Sequence, residues 1–342
     1  MGKARSTAAI YGCAGLELGV DEKAFFTDAN PAGFILFARN CQSPAQLKKL
    51  VNDLRDCIGS GTAPILIDQE GGRVVRMKPP HWRHPPAAAR FAELADINME
   101  IAKEAANLNA MLIGHDLLEC GINVDCLPVL DVPQKNADPI IGDRALGMDP
   151  RQIAELGRAV CDGLLAGGVL PVVKHIPGHG RAEVDSHILL PVVDTPRDEL
   201  HQTDFAPFAK LADMPMAMTA HVVYRAVDAE HPATSSATVI KDIIRDEIGF
   251  DGFLITDDLC MKALSGGYGE RTTAALDAGC DVVLHCSGDM LEMKEVATAV
   301  PEMTDAAEQH LQDALGRLHE PEEFDRDGAL DRLNKLIGTL PS

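Results

Sequence analysis

Eight short apolar runs divide the sequence, and segments with a helical pattern separate them. The runs are β-rich, mostly continuous rather than alternating, and bounded by glycine or proline; they cover residues 8–14, 33–38, 64–68, part of 122–132, 170–175, 216–221, 252–257 and 281–286. Continuous apolar strands are typical of parallel sheets that are buried on both faces. Eight strands alternating with helices favour a closed (β/α)8 barrel over an open doubly wound sheet, and the first strand lacks a dinucleotide-binding glycine fingerprint.

Several of the intervening segments carry helix start signals. Ser43 and Pro44 open a pattern that runs through residue 54, and Asp149 with Pro150 opens another that ends before Gly167. Further helices are expected at 93–120 (as one helix or two), 198–211, 237–247, 290–318 and 328–340. We expect the last two segments to pack on the barrel, so that residues 1–342 form a single domain.

Charge and cysteine content exclude several classes of partner. The formal net charge of −21 argues against nucleic acid and against an anionic membrane surface, but it is compatible with a small molecule. Apolar stretches fall short of the roughly 18 residues that a membrane span requires, and Glu17 interrupts the start, so we expect no signal peptide.

The nine cysteines form no CxxC pair, which favours a reducing cytoplasm. A monomer is the expected state.

Ionisable residues follow most of the apolar runs. They are Asp68, Asp131, Lys174, His175, His221, Asp257, Asp258 and His285. In a (β/α)8 enzyme the active site lies at the carboxyl ends of the strands, so these side chains are expected to share one face. Each of them alone could be a capping or structural residue, but their repetition at strand ends favours a functional site.

One loop concentrates these groups. The segment Lys174-His175-Ile176-Pro177-Gly178-His179-Gly180, followed by Asp185-Ser186-His187, holds one lysine, three histidines and two acidic residues within fourteen positions. A packed core avoids such a density, and acid–base catalysis needs it. In extended backbone Asp185 and His187 share a side, and a carboxylate beside an imidazole favours its protonated form. Such pairs can also be purely structural, so the residues alone leave both roles open.

Three more segments accompany this loop in order along the chain: Asp68-Gln69-Glu70-Gly71-Gly72-Arg73-Val74-Val75-Arg76, Ile141-Gly142-Asp143-Arg144-Ala145-Leu146-Gly147 and Thr256-Asp257-Asp258-Leu259-Cys260-Met261. Together the four segments resemble the family 3 glycoside hydrolases, specifically their single-domain β-N-acetylglucosaminidases. The resemblance implies retaining, exo-acting removal of terminal N-acetylglucosamine without a cofactor or a metal. It also implies a cytoplasmic role in peptidoglycan recycling, with anhydromuropeptides as substrates.

The resemblance also implies roles for individual residues. Asp257 corresponds to the nucleophile, while its neighbour Asp258 could cap the following helix. His187 corresponds to the general acid/base and Asp185 to its partner, in place of the usual glutamate. The positions that hold the sugar hydroxyls and the acetamido group are Asp68, Arg76, Arg144, Lys174 and His175. Arg73 is expected to support its loop and His179 to fix the catalytic loop from beneath.

Two departures from the family pattern are visible. Ile176 replaces the commoner phenylalanine, which should alter packing rather than chemistry. Ala145-Leu146 stand where Ser-Phe is frequent, which predicts a changed floor beside the acetamido group.

Three rival functions remain open from the residues. A metal-dependent hydrolase could draw ligands from five histidines, His175, His179, His187, His221 and His285, although the chain lacks an HExxH motif. Phosphorolysis is a closer rival, because a histidine acid, unlike a glutamate, does not repel an incoming phosphate. A non-catalytic sugar-binding protein would keep the affinity for sugar without turnover.

Overall fold

The structure contains the closed barrel that the sequence predicts. It is a computed structural model that describes residues 5–135 and 137–340. Eight parallel strands pair with their neighbours in chain order, and the first pairs with the last. They are β1 (Thr7–Gly12), β2 (Pro31–Leu36), β3 (Ile65–Ile67), β4 (Val124–Asp125), β5 (Leu170–Ile176), β6 (Met216–Thr219), β7 (Phe253–Asp258) and β8 (Val282–His285). Ala9 opposite Val283 closes the ring.

Helices surround the barrel and connect its strands. They are α1 (Val20–Ala29), α2 (Pro44–Ile58), α3 (Ala88–Ile97), α4 (Met99–Glu119), α5 (Pro150–Ala166), α6 (Arg197–Gln202), α7 (Ala206–Lys210), a π-helix (Val239–Glu247), α8 (Tyr268–Ala278), α9 (Met290–Ala299), α10 (Asp305–Leu315) and α11 (Arg326–Ile337). A small two-stranded sheet, Val192–Val193 with Val223–Tyr224, lies outside the barrel. None of the helices in the described residues has the length and apolar composition of a membrane-spanning helix.

Side-chain caps explain where several helices begin. Ser43 Oγ accepts the N–H of Gln46 at 3.3 Å, so α2 starts at the predicted position. Asp149 likewise caps α5, because its side chain accepts the backbone N–H groups of Arg151 and Gln152. The segment 93–120 forms two helices, because Asn98 ends α3 and its side chain caps α4. Residues 198–211 and 290–318 are also divided into two helices each.

The sequence did not predict α1 and α8. Both helices follow a glycine, Gly19 or Gly267, that has no side chain to mark the cap. In each case a glutamate three residues later supplies the missing contact. Glu22 accepts the Gly19 N–H at 3.2 Å, and Glu270 accepts the Gly267 N–H at 3.0 Å. This is half of a capping box, and without Ser or Thr it leaves a weak sequence signal.

Helix α10 closes the amino-terminal end of the barrel. Its buried residues Ala307 and Leu311 join the apolar cluster inside the barrel, which includes Ile10 and Leu66. Just before α10, the N–H of Met303 donates to Ser6 O at 2.9 Å. The carboxyl end of the barrel is therefore the open one. At the edge of the fold, α11 packs on α3 and α4.

We expect Leu311→Ala to lower the free energy of unfolding by about 2–5 kcal/mol, because it leaves a cavity at the sealed end of the barrel. The side chain is 4% exposed in the native state. Leu291→Ala on α9 is the matched control, since Leu291 is 79% exposed and the change should stay within about 0.5 kcal/mol. Denaturant unfolding measures both, and equal losses would show that α10 does not close the core.

Candidate active site at the mouth of the barrel

A cleft of about 200 Å³ opens at the carboxyl ends of the strands. It is lined by residues from six strand ends and from the loops that follow them, among them Asp68, Glu70, Arg76, Arg144, Lys174, His175, His187, Asp257 and Asp258. A surface hollow beside Lys103 is larger, about 780 Å³. Its lining residues lie on outer helices, so the convergence of titratable groups at the strand ends, and not volume, identifies the candidate site.

A buried lysine organises one side of the cleft. The Nζ atom of Lys174 lies 2.8 Å from Asp68 Oδ1 and 2.6 Å from Glu70 Oε1, and the side chain is only 2% exposed. Arg144 donates from Nε and Nη2 to the two oxygens of Glu70, both at 2.8 Å. Arg76 donates to Asp68 Oδ2 at 2.9 Å. These five side chains form one charge network, which we call the Lys174 network.

Mutual stabilisation keeps the Lys174 network ionised. Burial by itself would raise the pKa of Glu70, but Lys174 and Arg144 outweigh it and lower that pKa to about 2. The pKa of Asp68 is likewise held well below its usual range by Lys174 and Arg76, against the effect of burial. A lysine ammonium has three N–H donors and the two carboxylates take two of them. One donor therefore remains available for a ligand.

A second group of contacts orients His175. The Nδ1 atom of His175 lies 2.6 Å from Asp131 Oδ2. The backbone N–H groups of His175 and His179 donate to Asp131 Oδ1 at 3.2 and 2.6 Å. Although Asp131 is fully buried, His175 and the N–H of His179 hold its pKa at about 2 against that burial. The buried carboxylate thus fixes the ring of His175, leaving Nε2 as the nitrogen available for a ligand.

His179 and Gly180 anchor the loop from beneath. Burial, and to a smaller extent His175, lowers the pKa of His179 to about 4, so its ring is neutral near pH 7. Its Nε2 atom lies 3.0 Å from Ser186 Oγ, which ties the two halves of the loop together. Gly180 packs so closely on the backbone that an added Cβ would lie 2.1 Å from Val132 O. Both observations agree with the supporting role expected for His179.

Asp257 lies at the end of β7, where its half-buried side chain reaches the cleft. Its Oδ1 atom accepts the N–H of Asp258 at 2.8 Å. Burial would raise the pKa of Asp257, but His175, His221 and this N–H lower it, so the carboxylate is charged at neutral pH. Asp258 accepts the N–H groups of Cys260 and Cys286 at 3.0 and 3.1 Å. Asp258 therefore caps a turn, rather than the helix that the sequence suggested.

Asp185 and His187 form a contact pair on the loop after β5. His187 Nδ1 lies 2.7 Å from Asp185 Oδ1, which also accepts the His187 backbone N–H at 2.8 Å. The pairing arises from this tight turn and not from extended backbone, since Ile188 N–H also donates to Asp185 O. Burial would raise the pKa of Asp185, but the contacts with His187 outweigh burial and lower that pKa. The His187 side chain is 61% exposed at the edge of the cleft.

Not every ionisable residue at a strand end faces the cleft. Asp131, His221 and His285 are fully buried and do not line it. Asp131 and His221 nevertheless lie at the same end of the barrel, since they contact His175 and Asp258, which do line the cleft. Successive side chains of a strand point to opposite faces, and since Leu284 faces inward, His285 points to the outer helices. His221 lies 2.7 Å from Thr234 Oγ1 and 3.0 Å from Asp258 O.

Two other sequence expectations can be compared with the contacts. Arg73 supports its loop, as expected, through Asp143 Oδ1 at 2.7 Å and Pro139 O at 3.1 Å. Ala145 and Leu146 were expected to change the floor of the site, but both are buried and do not line the cleft. Ile176 is also fully buried. These departures from the family pattern therefore act through packing behind the cleft.

Sequence reasoning left two cleft residues without a role. Glu70 joins Lys174 to Arg144. Its position, two residues after Asp68, is the only sequence signal for this role. Phe37 packs under the Arg76 guanidinium at 5.2 Å from the ring centre, and it has no motif around it. The aromatic face stabilises the cation and leaves its edge free for hydrogen bonds.

Comparison with known proteins places this geometry in a family. Residues 15–320 match the glycosyl hydrolase family 3 N-terminal domain. The β-hexosaminidase of Nitrosomonas eutropha is 36% identical over 308 residues, which cover 86% of this chain and 87% of that protein. Native NagZ from Neisseria gonorrhoeae superposes with a TM-score of 0.86 at 31% identity over 99% of both chains. Its complex with N-trifluoroacetyl-D-glucosamine also gives 0.86, at 30% identity and the same coverage.

The chain therefore belongs to glycosyl hydrolase family 3. Within that family it is an enzyme of the β-N-acetylhexosaminidase type, in agreement with the sequence resemblance.

We expect Glu70→Gln to lower the free energy of unfolding by about 3–5 kcal/mol near neutral pH, because Lys174 and Arg144 lose a buried counter-charge. A carboxylate with a lowered pKa contributes stability above its unfolded value, and that contribution is lost as the pH falls through the folded value. The difference between wild type and variant should therefore shrink between about pH 4.5 and 2.

Denaturant titrations at several pH values measure this difference. Glu323→Gln is the matched control, since Glu323 is exposed and its replacement should change stability by less than about 0.5 kcal/mol at any of these pH values. A Glu70→Gln deficit that stays constant on acidification would show that the carboxylate is not the source of the stability.

Proposed function

We propose that the enzyme is an exo-acting, retaining β-N-acetylglucosaminidase with Asp257 as nucleophile and the Asp185–His187 pair as acid/base. The observation that carries the proposal is that an ionised carboxylate and an exposed, carboxylate-paired imidazole line the same cleft. The Lys174 network and His175 line that cleft too. The exo-acting mode follows from the resemblance to single-domain β-N-acetylglucosaminidases.

In the first step, Asp257 attacks the anomeric carbon and the glycosidic bond breaks. His187 donates its proton to the departing oxygen, so that the aglycone leaves as a neutral alcohol. In the second step, His187 Nε2 takes a proton from water, and the water oxygen replaces Asp257 on the anomeric carbon with net retention. Asp185 holds Nδ1 and stabilises the imidazolium before each donation.

The residues available for binding suit a hydroxylated, uncharged sugar. Charged donors and acceptors in a partly dry pocket make strong, directional hydrogen bonds to hydroxyl groups. We assign this role to Asp68, Arg76, Arg144, Lys174 and His175, with Glu70 positioning the two cations that it contacts. The complex of Neisseria gonorrhoeae NagZ with N-trifluoroacetyl-D-glucosamine supports an N-acylated glucosamine as the glycone.

We further propose that the substrates are peptidoglycan-derived anhydromuropeptides, hydrolysed in the cytoplasm during cell-wall recycling. The resemblance to relatives of the NagZ type supports this role. The nine cysteines are free thiols, which is compatible with a reducing compartment. Turnover of an isolated anhydromuropeptide, with terminal N-acetylglucosamine as the released product, tests the assignment.

Asp257→Ala should abolish hydrolysis of aryl N-acetyl-β-glucosaminides while far-ultraviolet circular dichroism shows the native fold. Loss of a covalent nucleophile typically reduces kcat by about 10⁴-fold or more. A 2-fluoro or 5-fluoro glycosyl fluoride should label Asp257 in the wild type, and peptide mass spectrometry locates the label. Asp258→Asn is a second variant, in which the label should still form. A label on any other residue would refute the assignment.

His187→Ala should reduce kcat most for substrates with poor leaving groups, since these need a proton on the departing oxygen. A linear plot of log kcat/KM against the leaving-group pKa should be steeper for the variant than for the wild type. Asp185→Asn should show the same trend more weakly, and His201→Ala should not, because His201 lies on α6 and does not line the cleft. Equal losses for all leaving groups would argue against the acid role.

The released sugar product distinguishes phosphorolysis from hydrolysis. In phosphate buffer the proposed hydrolase should release free N-acetylglucosamine, while a phosphorylase would release the sugar 1-phosphate.

A further inference from the structure

Three metal-ligating side chains meet behind the cleft, on the outer side of the barrel. The Cys260 thiol sulphur, a ring nitrogen of His285 and a carboxylate oxygen of Glu292 all lie within 4.8 Å of one another. Cys260 belongs to the turn after β7, His285 ends β8, and Glu292 lies in the first turn of α9. These three residues do not line the cleft, so the cluster is separate from the proposed catalytic groups.

The cluster contains buried polar atoms that lack partners. His285 is fully buried, and within residues 5–135 and 137–340 neither of its ring nitrogens has a hydrogen-bond partner. The Glu292 Oε2 atom is buried and unpartnered as well. Leaving such a group unsatisfied costs about 1–3 kcal/mol, and an ion is one of the few explanations for several unsatisfied groups at one place.

The separation of the nitrogen and oxygen ligand atoms fits a tetrahedral zinc site. His285 Nε2 and Glu292 Oε2 are 3.4 Å apart, which is longer than an ordinary hydrogen bond. Two ligands at about 2.1 Å from one zinc ion and at the tetrahedral angle are separated by roughly 3.4 Å. A thiolate and a carboxylate would neutralise the two positive charges, and the third ligand is a neutral imidazole.

We infer that Cys260, His285 and Glu292 bind one zinc ion, with an exogenous ligand completing the tetrahedron. Glu292 is 33% exposed on its side chain, which provides a route for the ion from solvent. Zinc binds the thiolate, so the Cys260 proton is released to solvent when the zinc–sulphur bond forms. The Tyr268 hydroxyl interacts with the Glu292 carboxylate and serves as an outer partner that orients it.

A second group of potential ligands provides a contrast. His115, Asp116 and Glu119 also lie close together. Asp116, however, is already paired with Arg326 and lies 3.5 Å from Arg83 Nε. Two guanidinium groups beside the carboxylate repel a metal cation, so this group is an ion-paired surface and not a site.

The inferred zinc ion has a structural consequence for the enzyme. Cys260 follows Asp257 by three residues, and Asp258 between them accepts the N–H groups of Cys260 and Cys286. An ion on Cys260, His285 and Glu292 would join the turn after β7 to β8 and α9. It would therefore stabilise the turn next to the proposed nucleophile without contacting the substrate.

Cobalt and zinc titrations of chelator-treated, full-length protein test the inference. Co²⁺ should bind with a stoichiometry of one and show the near-ultraviolet charge-transfer band of a thiolate ligand. Zn²⁺ should displace it and raise Tm by about 4 °C at a hundredfold excess over Kd. Cys260→Ser should remove the band, and Cys260→Ser and Glu292→Gln should each weaken binding more than about 100-fold, since even outer partners contribute 10–100-fold.

Two control variants separate this site from other thiols and histidines. Cys57→Ser replaces a partly exposed cysteine on α2 and should keep the band and the affinity. His187→Ala should keep them as well, because the inferred site does not include the catalytic loop. Absence of a thiolate band in the wild type, an unchanged band in Cys260→Ser, or its loss in His187→Ala would each overturn the inference.

Discussion

Burial of the Lys174 ammonium costs several kcal/mol of solvation free energy, and the mouth of the barrel is arranged around its compensation. Asp68 and Glu70 come from one strand end, and each of them recruits an arginine from a different loop. Removing Asp68 or Glu70 would leave one arginine without its counter-charge and the buried Lys174 with a single carboxylate. The loops after β3 and β4 and the end of β5 are therefore held in register by a single set of ion pairs, and the cleft takes its shape from them.

The same interaction explains why the site is rigid on one side and open on the other. The charge network and the Asp131–His175 contact fix the groups that would hold the sugar. Asp257 is fixed by the strand that carries it and by the Asp258 N–H. The Asp185–His187 pair is the exception, because it is exposed and held mainly by its own turn. A proton donor on a separate turn can adjust to different leaving groups while the sugar stays in place.

The barrel could be predicted from the sequence because each strand is a continuous apolar run, and such runs have few alternatives to a buried parallel sheet. Helices α1 and α8 could not, since a glycine replaces the usual capping side chain at Gly19 and Gly267. For the site, the motifs placed the charged residues in one cleft. They did not show that Glu70 joins two cations, or that His285 faces the outer helices, because partners distant in sequence decide both. The cluster of Cys260, His285 and Glu292 likewise forms only when β7, β8 and α9 come together.

The packed interior of the barrel leaves the cleft at its carboxyl end as the route to the proposed catalytic groups, and this imposes an order on the proposed reaction. Substrate, water and both products must use the same mouth, because strand side chains such as Ile10, Leu66 and Phe253 fill the barrel interior. In the proposed reaction the glycone lies deepest, so the aglycone has to depart before the second half of the reaction can begin. Its departure vacates the path along which water reaches the covalent intermediate. The shared entrance thus separates the two proposed half-reactions in time, and no gate is needed to do so.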